Sequence, residues 1–288
     1  LTRPELQYML RHSEAVAAVS TEEHGGQDFL SLFDELLPQL PELQYVVTVG
    51  EEDLWYDDQI FPWVDLVSSG TGRDYAAPPV DPETTPLALF YTSGTTGKPK
   101  GVVRSHESYV AFYLINAVDF GFDAHDVCMN VMPLCHINST FFTFTFTYVG
   151  GTAYIHPARS FRAEEILEII EREQVTFISL IPTHYNLILN IAEEAKKYDV
   201  SSIRKLLCSS APVRKSMKLA IIEFFPGVEL YEAYGSTEAG IVTVLKPEDQ
   251  MHKLGSIGYE TLGTDFVKIL DEKGNEVPQG EVGELHSR

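Results

Sequence analysis

The sequence predicts an α/β protein built on parallel sheet flanked by helices, and three observations carry that prediction. From Thr152 onward, short apolar runs alternate with helical patterns of roughly 10 to 16 residues, the order expected of parallel strands with crossover helices. Residues 87–90 form an apolar run that feeds directly into the glycine- and hydroxyl-rich string YTSGTTGKPKGV, Tyr91 to Val102. The chemically loaded stretches at 92–98, 209–212 and 234–238 each follow a strand pattern, and in parallel α/β sheets ligands sit at the carboxyl ends of strands.

Residues 1–20 read as a helix, with Pro4 near its start behind Thr2, followed by an apolar strand over 15–19. A second helix is expected at 28–37, stopped by Pro38, and a β-branched strand at 45–49 ending on Gly50. Residues 51–86 are acidic and rich in proline, glycine and tryptophan, and read as loop with one short helix. After the glycine-rich string, 102–104 is extended and 107–118 helical, with Tyr109, Phe112 and Tyr113 on the apolar side. A buried strand is expected over 126–134.

Residues 141–148 alternate phenylalanine with threonine or tyrosine, which is a strand period. Asn138, Ser139 or Thr140 can cap a helix there and Gly150-Gly151 can stop it, so a helix is expected. Strands at 153–155, 175–181, 204–208 and 228–234 then alternate with helices at 163–173, at 183–198 capped by Thr183, and at 214–225. The tail changes character. Residues 266–270, a turn at 271–275 and 276–277 read as a hairpin followed by a strand at 284–286, the start of a small β subdomain.

Composition narrows the function classes. The 288 residues carry a formal charge of −21, which excludes the basic footprint of a nucleic-acid binder. Positive charge is concentrated instead in Lys98, Lys100 and Arg104. Cys128, Cys135 and Cys208 have no metal-site spacing and make no even-numbered disulfide framework; reduced, buried thiols of a cytoplasmic protein are expected. No signal peptide is visible. Residues 127–158 carry no charge, but Asn130, Pro133, Asn138, several threonines and Gly150-Gly151 make them too polar for a transmembrane segment; buried core is expected.

The string at 91–102 holds three glycines, two lysines and four serine or threonine hydroxyls, the materials of a phosphate grip. Its spacing is not that of a Walker loop, and Pro99 keeps Lys98 out of the helical region. The string resembles the signature of the adenylate-forming superfamily, which includes acyl-CoA synthetases, amino-acid adenylation domains and beetle luciferases. A second string, Tyr234-Gly235-Ser236-Thr237-Glu238, matches that family's aromatic-Gly-x-Thr-Glu pattern. A third, Ser209-Ser210-Ala211-Pro212, resembles its small-residue turn beside adenine, with serines where glycines are common.

The resemblance implies a layered αβαβα core, with residues 1–90 a partial subdomain, 91–260 the nucleotide-binding core and 261–288 the start of the β subdomain. It also places a helix over the phenylalanine–threonine stretch. Thr92, Ser93, Gly94, Thr95, Thr96, Gly97 and Lys98 would hold the ATP phosphates. Tyr234 would stack on adenine beside Gly235, with Ser210, Ala211 and Pro212 on the other face. Thr237 would bond the α-phosphate and Glu238 would hold Mg²⁺, roles suited to a hydroxyl donor and a hard carboxylate ligand. Glu232 stands where many relatives carry Asn or Gln, which leaves a polar adenine contact there in doubt. His136 matches a histidine of acyl- and aryl-CoA synthetases, where amino-acid-activating relatives carry an aspartate; a carboxylic acid without an α-amino group is implied, and a core histidine satisfied by a carbonyl is the alternative. Residues 255–258 resemble the turn lining the acyl pocket.

The implied reaction joins a carboxylic acid, of the fatty class, to coenzyme A through an acyl-adenylate, using ATP and Mg²⁺. Two other readings stay open: an adenylation domain loading an aryl or amino acid onto a carrier protein, and a non-catalytic nucleotide-binding module. By the same resemblance Leu1 falls inside the large domain and residues 283–285 fall short of its end. The ribose-binding aspartate, the hinge and the small domain with its catalytic lysine lie outside, so little or no turnover is expected of these 288 residues alone.

Overall fold

The computed structural model describes residues 2–50, 58–92, 98–157, 160–264 and 267–287. The chain divides into two compact units, Leu1–Asp81 with Tyr91–Val102, and Pro82–Phe90 with Val103–Arg288.

The first unit holds α1 (Arg3–His12), β1 (Ala17–Thr21), a small hairpin β2 (Glu23–His24) and β3 (Gln27–Asp28), α2 (Phe29–Leu36), β4 (Tyr45–Val49), β5 (Ile60–Pro62) and α3 (Trp63–Gly70). Asp28 caps α2 by accepting from the Ser31 amide, and Pro38 sits in the 3₁₀ turn Leu37–Gln39 that ends it. Strands β1, β4 and β5 form a parallel sheet in that order, packed on Phe33, Leu36, Leu40 and Leu43. The short strand β5 was not expected in a stretch read as loop.

The chain crosses between the units within the two-stranded ribbon β6 (Pro86–Thr92) and β7 (Lys100–Ser105). The second unit continues with α4 (His106–Phe120), β8 (Val127–Asn130), α5 (Ile137–Val149), β9 (Thr152–Ile155), α6 (Ala163–Glu173), β10 (Phe177–Leu180), α7 (Pro182–Leu189), α8 (Ala192–Ala195), β11 (Lys205–Ser209), α9 (Lys215–Phe224), β12 (Glu229–Ser236), β13 (Gly240–Leu245), β14 (Tyr259–Glu260), β15 (Val267–Leu270) and β16 (Glu284–Ser287).

Its seven-stranded sheet runs β14-β13-β12-β11-β10-β8-β9, parallel from β9 to β12 and antiparallel at β13 and β14. Successive strand residues go to opposite faces, so both faces need an apolar cover. On one face Met129, Ile178, Leu206 and Leu230 meet Ile166 and Ile170 of α6, Tyr185 and Ile188 of α7, and Ile221 of α9. On the other, Cys128, Phe177, Leu207 and Tyr231 meet Phe120 of α4 and Phe142 and Phe146 of α5. This is the layered α/β arrangement that the sequence predicts.

The alternating phenylalanine–threonine stretch is a helix. Thr143, Thr145 and Thr147 each donate to the carbonyl four residues back, at 2.8, 2.8 and 2.9 Å, which removes the polarity that the alternation would otherwise expose. Its cap differs from expectation: His136 occupies the N-cap with no side-chain bond, while Gly150 ends the helix at φ 78°.

Other expectations need correction. The helix expected over 183–198 starts at Pro182, with Ile181 and not Thr183 at its cap, and breaks where Ile191 leaves the helical region at φ −113°, ψ 24°. In the tail, the expected return of 276–277 on 267–270 is present, with an antiparallel bridge from Leu270 to residue 276 and the Val277 amide donating to the Ile269 carbonyl at 2.9 Å, and β15 also pairs antiparallel with β16; residue 266 lies outside the described residues. Cys128 and Cys208 are buried, but Cys135 is exposed because it sits in the loop before α5. The uncharged stretch is divided among β8, α5 and β9, and no helix among the described residues is long and apolar enough to cross a membrane.

Candidate active site

Two cavities open in the second unit where β11 and β12 end. The larger, of ≈ 390 Å³, lies between the turn Ser210-Ala211-Pro212 and the strand residues Glu232 and Tyr234. The smaller, of ≈ 230 Å³, is bounded by His136, Asn138, Phe141 and Phe142 of α5 and its cap, and by Thr237 and Ile241. The period of two on β12 explains the division. Glu232 and Tyr234 point to the face covered by α9, whereas Ala233 belongs to the apolar cluster under α5. The two cavities share Ser210, Ala233 and Gly235, so residues with little or no side chain form the boundary between them.

The turn after β11 is tight. Ser210 adopts φ 68°, a left-handed conformation that few side chains tolerate, before Arg214 caps α9. Across the larger cavity Tyr234 leaves 41% of its surface exposed and offers its ring to a flat ligand. Residues 255–257, part of the turn that resembles the one lining the acyl pocket, border this larger cavity.

Beneath the larger cavity, the ammonium of Lys218 from α9 pairs with the Glu232 carboxylate, and Lys218 is only 1% exposed. Cys208 lines the same cavity; burial, and then the negative charge of Glu232, push its thiol up to about 12. It is a packing group and not a nucleophile. The sequence reading questioned Glu232 but did not foresee its lysine; that Glu232 and Tyr234 are two apart on one strand was the available signal.

The hairpin between β12 and β13 carries Thr237 and Glu238. A Cβ on Gly235 would stand 2.0 Å from the Gly240 carbonyl oxygen, and one on Gly240, at φ 78°, would meet the Phe112 ring at 2.7 Å. Both glycines are therefore required by close approach. Ser236 Oγ accepts from the Ala239 amide at 3.1 Å, and Arg104 Nη1 donates to the Glu238 carbonyl at 2.6 Å. The Glu238 carboxylate forms no ion pair among the described residues, and Thr237 faces the smaller cavity.

His136 is exposed at the rim of the smaller cavity, which removes the alternative of a buried core histidine. Asn138 was expected only as a cap. It donates instead to the Ser179 and Ser209 hydroxyls, each at 3.1 Å, tying α5 to β10 and β11.

Of the expected phosphate grip, Ser93, Gly94, Thr95, Thr96 and Gly97 lie outside the described residues. Thr92 ends β6, and the Lys98 ammonium stands 5.9 Å from the Tyr8 ring centre. Tyr91 donates to the Met9 carbonyl at 3.1 Å, and its hydroxyl is 2.8 Å from His12 Nδ1, so both flanks of the string rest on α1.

The residues suit the groups expected of them. Small side chains and one aromatic ring border a cavity deep enough for a base. No group of three or more metal-ligating side chains occurs among the described residues, so a metal would rest on one carboxylate plus ligand phosphates, the habit of Mg²⁺ and not of a protein-caged ion.

A sequence profile described as AMP-binding enzyme matches residues 1–288, and the chain belongs to that family. It is 27% identical over 292 residues to the mitochondrial acyl-coenzyme A synthetase ACSM4 of Rattus norvegicus, an alignment that covers 100% of this chain and 47% of that protein. It is 32% identical over 231 residues to acyl-CoA synthetase 7 of Caenorhabditis elegans, covering 77% of this chain and 42% of the relative. The chain therefore spans less than half the length of these relatives. Its fold superposes on the crystal structure of the anthranilate CoA ligase AuaEII in complex with anthranoyl-AMP with a TM-score of 0.86 at 27% identity, covering 100% of this chain and 53% of that one. Sequence profile and fold thus agree on one class, the AMP-binding enzyme family.

Proposed function

We propose that the protein activates an apolar carboxylic acid as an acyl-adenylate with MgATP and transfers the acyl group to coenzyme A. The observation that supports this most directly is the pair of cavities meeting at Ser210, Ala233 and Gly235, with Thr237 beside the junction. Two reactants seated in them would meet at that junction, which is the geometry that an attack on phosphorus requires. The acid's carboxylate oxygen bonds to the α-phosphorus, the bond to the β-phosphate oxygen breaks, and pyrophosphate leaves. Coenzyme A thiolate then attacks the acyl carbon, AMP departs, and a thioester remains.

This chain's residues hold and orient. Tyr234 packs on the base opposite Ala211 and Pro212. Thr237 donates its hydroxyl proton to an α-phosphate oxygen as charge builds there. His136, at the rim, steadies the incoming carboxylate by hydrogen bonding. Glu238 would hold Mg²⁺, which neutralises phosphate charge when bound. Phe141, Phe142 and Ile241 give the smaller cavity an apolar wall, and no Asp or Glu among the described residues lines it to pair with an ammonium group, which favours an acid without an α-amino group. Residues 91–260 are taken as the nucleotide-binding core and 261–288 as the opening of a β subdomain, with the rest of the catalytic apparatus supplied by a longer protein, as the coverage of the relatives supports.

The test is acid-dependent pyrophosphate release by the full-length protein across short, medium, long and aromatic acids. Release with apolar acids, lowered about 100- to 1,000-fold by Thr237→Val, is expected. Absence of release with every acid, or an unaffected Thr237→Val, overturns the reading.

A further inference from the structure

We propose that Arg104 is a positioning residue, holding the turn that presents Thr237 and Glu238 by gripping its backbone; the inference rests on the function proposed above. Arg104 is only 8% exposed, an unusual place for a guanidinium. Burial of such a charge is normally compensated by a carboxylate. Here none lies within ion-pair distance among the described residues, and Nε has no acceptor among them. What the side chain does have is one short bond, Nη1 to the Glu238 carbonyl at 2.6 Å, and the face of Phe141, 5.8 Å from its ring centre.

The turn needs such a hold. Its side chains at 236, 238 and 239 are exposed, and its own bond from the Ala239 amide to Ser236 is local. Pairing slips between Tyr234 and Gly235 and resumes for only two pairs, Gly235 with Ile241 and Ser236 with Gly240, so little regular ladder adjoins the turn. Among the described residues, the Arg104 bond is the one side-chain hydrogen bond that residues 236–240 receive from outside the hairpin; the next, from the Thr261 hydroxyl, falls on the Ile241 carbonyl. It fixes the main chain at the residue whose carboxylate forms no ion pair among the described residues, and a charged donor makes the strong kind of bond. Phe141, on which the guanidinium rests, lines the smaller cavity, so the same side chain supports that wall.

The experiment compares wild type, Arg104→Met, Arg104→Lys, Glu238→Gln and the Arg104→Met/Glu238→Gln pair in the full-length protein. Hydrogen exchange of the 236–241 segment is followed without nucleotide. Binding of a fluorescent ATP analogue is titrated with Mg²⁺, and kcat and KM for the acid are measured separately. Arg104→Met should speed exchange in that segment about tenfold, the equivalent of one lost charge-assisted hydrogen bond. It should raise the half-saturating Mg²⁺ about tenfold, as loss of an outer partner of a metal ligand does, while the acid KM stays within about twofold. Arg104→Lys should recover part of the shift, and Arg104→Met should add nothing to the Mg²⁺ requirement once Glu238 is Gln.

Exchange at 236–241 and Mg²⁺ dependence equal to wild type would overturn the inference. So would faster exchange spread over the whole protein, or an equal effect of Arg104→Met in the Glu238→Gln background. A wild type that binds the analogue with no Mg²⁺ dependence would overturn the functional reading itself, and the role of Arg104 with it. An unchanged variant beside a responsive wild type rejects only the role of Arg104.

Discussion

Two buried cations flank the β12–β13 hairpin, and they are handled in opposite ways. Lys218 is 1% exposed and meets the Glu232 carboxylate, so the charge under the larger cavity is neutralised locally. Arg104 is 8% exposed and meets a peptide carbonyl and an aromatic face. A closed pair of charges makes a firm, electrically quiet floor. An unpaired guanidinium leaves residual positive potential beside a turn expected to receive phosphate and metal. The difference teaches that burial alone does not define a charge's task; the identity of the partner does.

Breaking the closed pair should have the largest effect. Glu232→Ala strands the Lys218 ammonium and is expected to destabilise the fold by about 3–5 kcal/mol in urea unfolding, whereas the Lys218→Met/Glu232→Leu pair should return most of that. If the single substitution is tolerated, Lys218 is not held by Glu232 in solution.

An intermediate case sharpens the comparison. Asp126 is 2% exposed, while its partner Arg204, 2.5 Å away, is half exposed. Burial alone would raise the Asp126 pKa. The hydroxyl of Thr176, the amide of Asp123 and the cations Lys205 and Arg204 outweigh it and hold the carboxyl below its ordinary value. The stabilisation is complete above the unfolded carboxylate value of about 3.9 and disappears as pH falls through the lower folded one. Asp126→Asn should therefore cost about 2 kcal/mol at pH 7, and its gap from wild type should narrow only below about pH 4 in urea titrations.

Arg104→Met should change stability by about 1 kcal/mol or less, because the lost carbonyl bond is offset by no longer burying an unpaired charge. A loss as large as that of Glu232→Ala would place Arg104 with the structural charges. The smallest effect concerns the thiols. With burial pushing Cys208 up to about 12 and Cys128 well above its ordinary range, only the exposed Cys135 should react with a thiol reagent at pH 8. Mass spectrometry of the native and unfolded protein would show one and three labels respectively.

Much of this was readable from the chain because strand and helix periods are local. The bounds of β4 and α6 agree with the sequence reading residue for residue. The phenylalanine–threonine helix was legible through its Gly150 stop and not through its period, since alternation cannot reveal that threonines will bond backward along a helix. Strands β13 and β14 escaped notice because an antiparallel return depends on the close approach of Gly235 and Gly240, and the chain offers no alternation signal for it. The proposed site residues Tyr234 and Thr237 were visible as motif. Lys218 was not, and Arg104 was legible only as local positive charge, since their partners lie 14 and 134 positions away and only the folded chain brings them near.

The boundary between the two cavities has a consequence for how such a protein could change its substrate. Ser210, Ala233 and Gly235 leave the two compartments divided by little more than main chain. Whatever occupies one compartment becomes a wall of the other, so under the proposed function each reactant helps to define the shape its partner must have. Enlarging Ala233 would disturb neither compartment's far end but would separate their occupants. Altering Ile137 or Ile257, each of which lines one compartment alone, would reshape that compartment and leave the meeting point alone. Diversity is then expected to accumulate at the periphery, while the thin partition stays small.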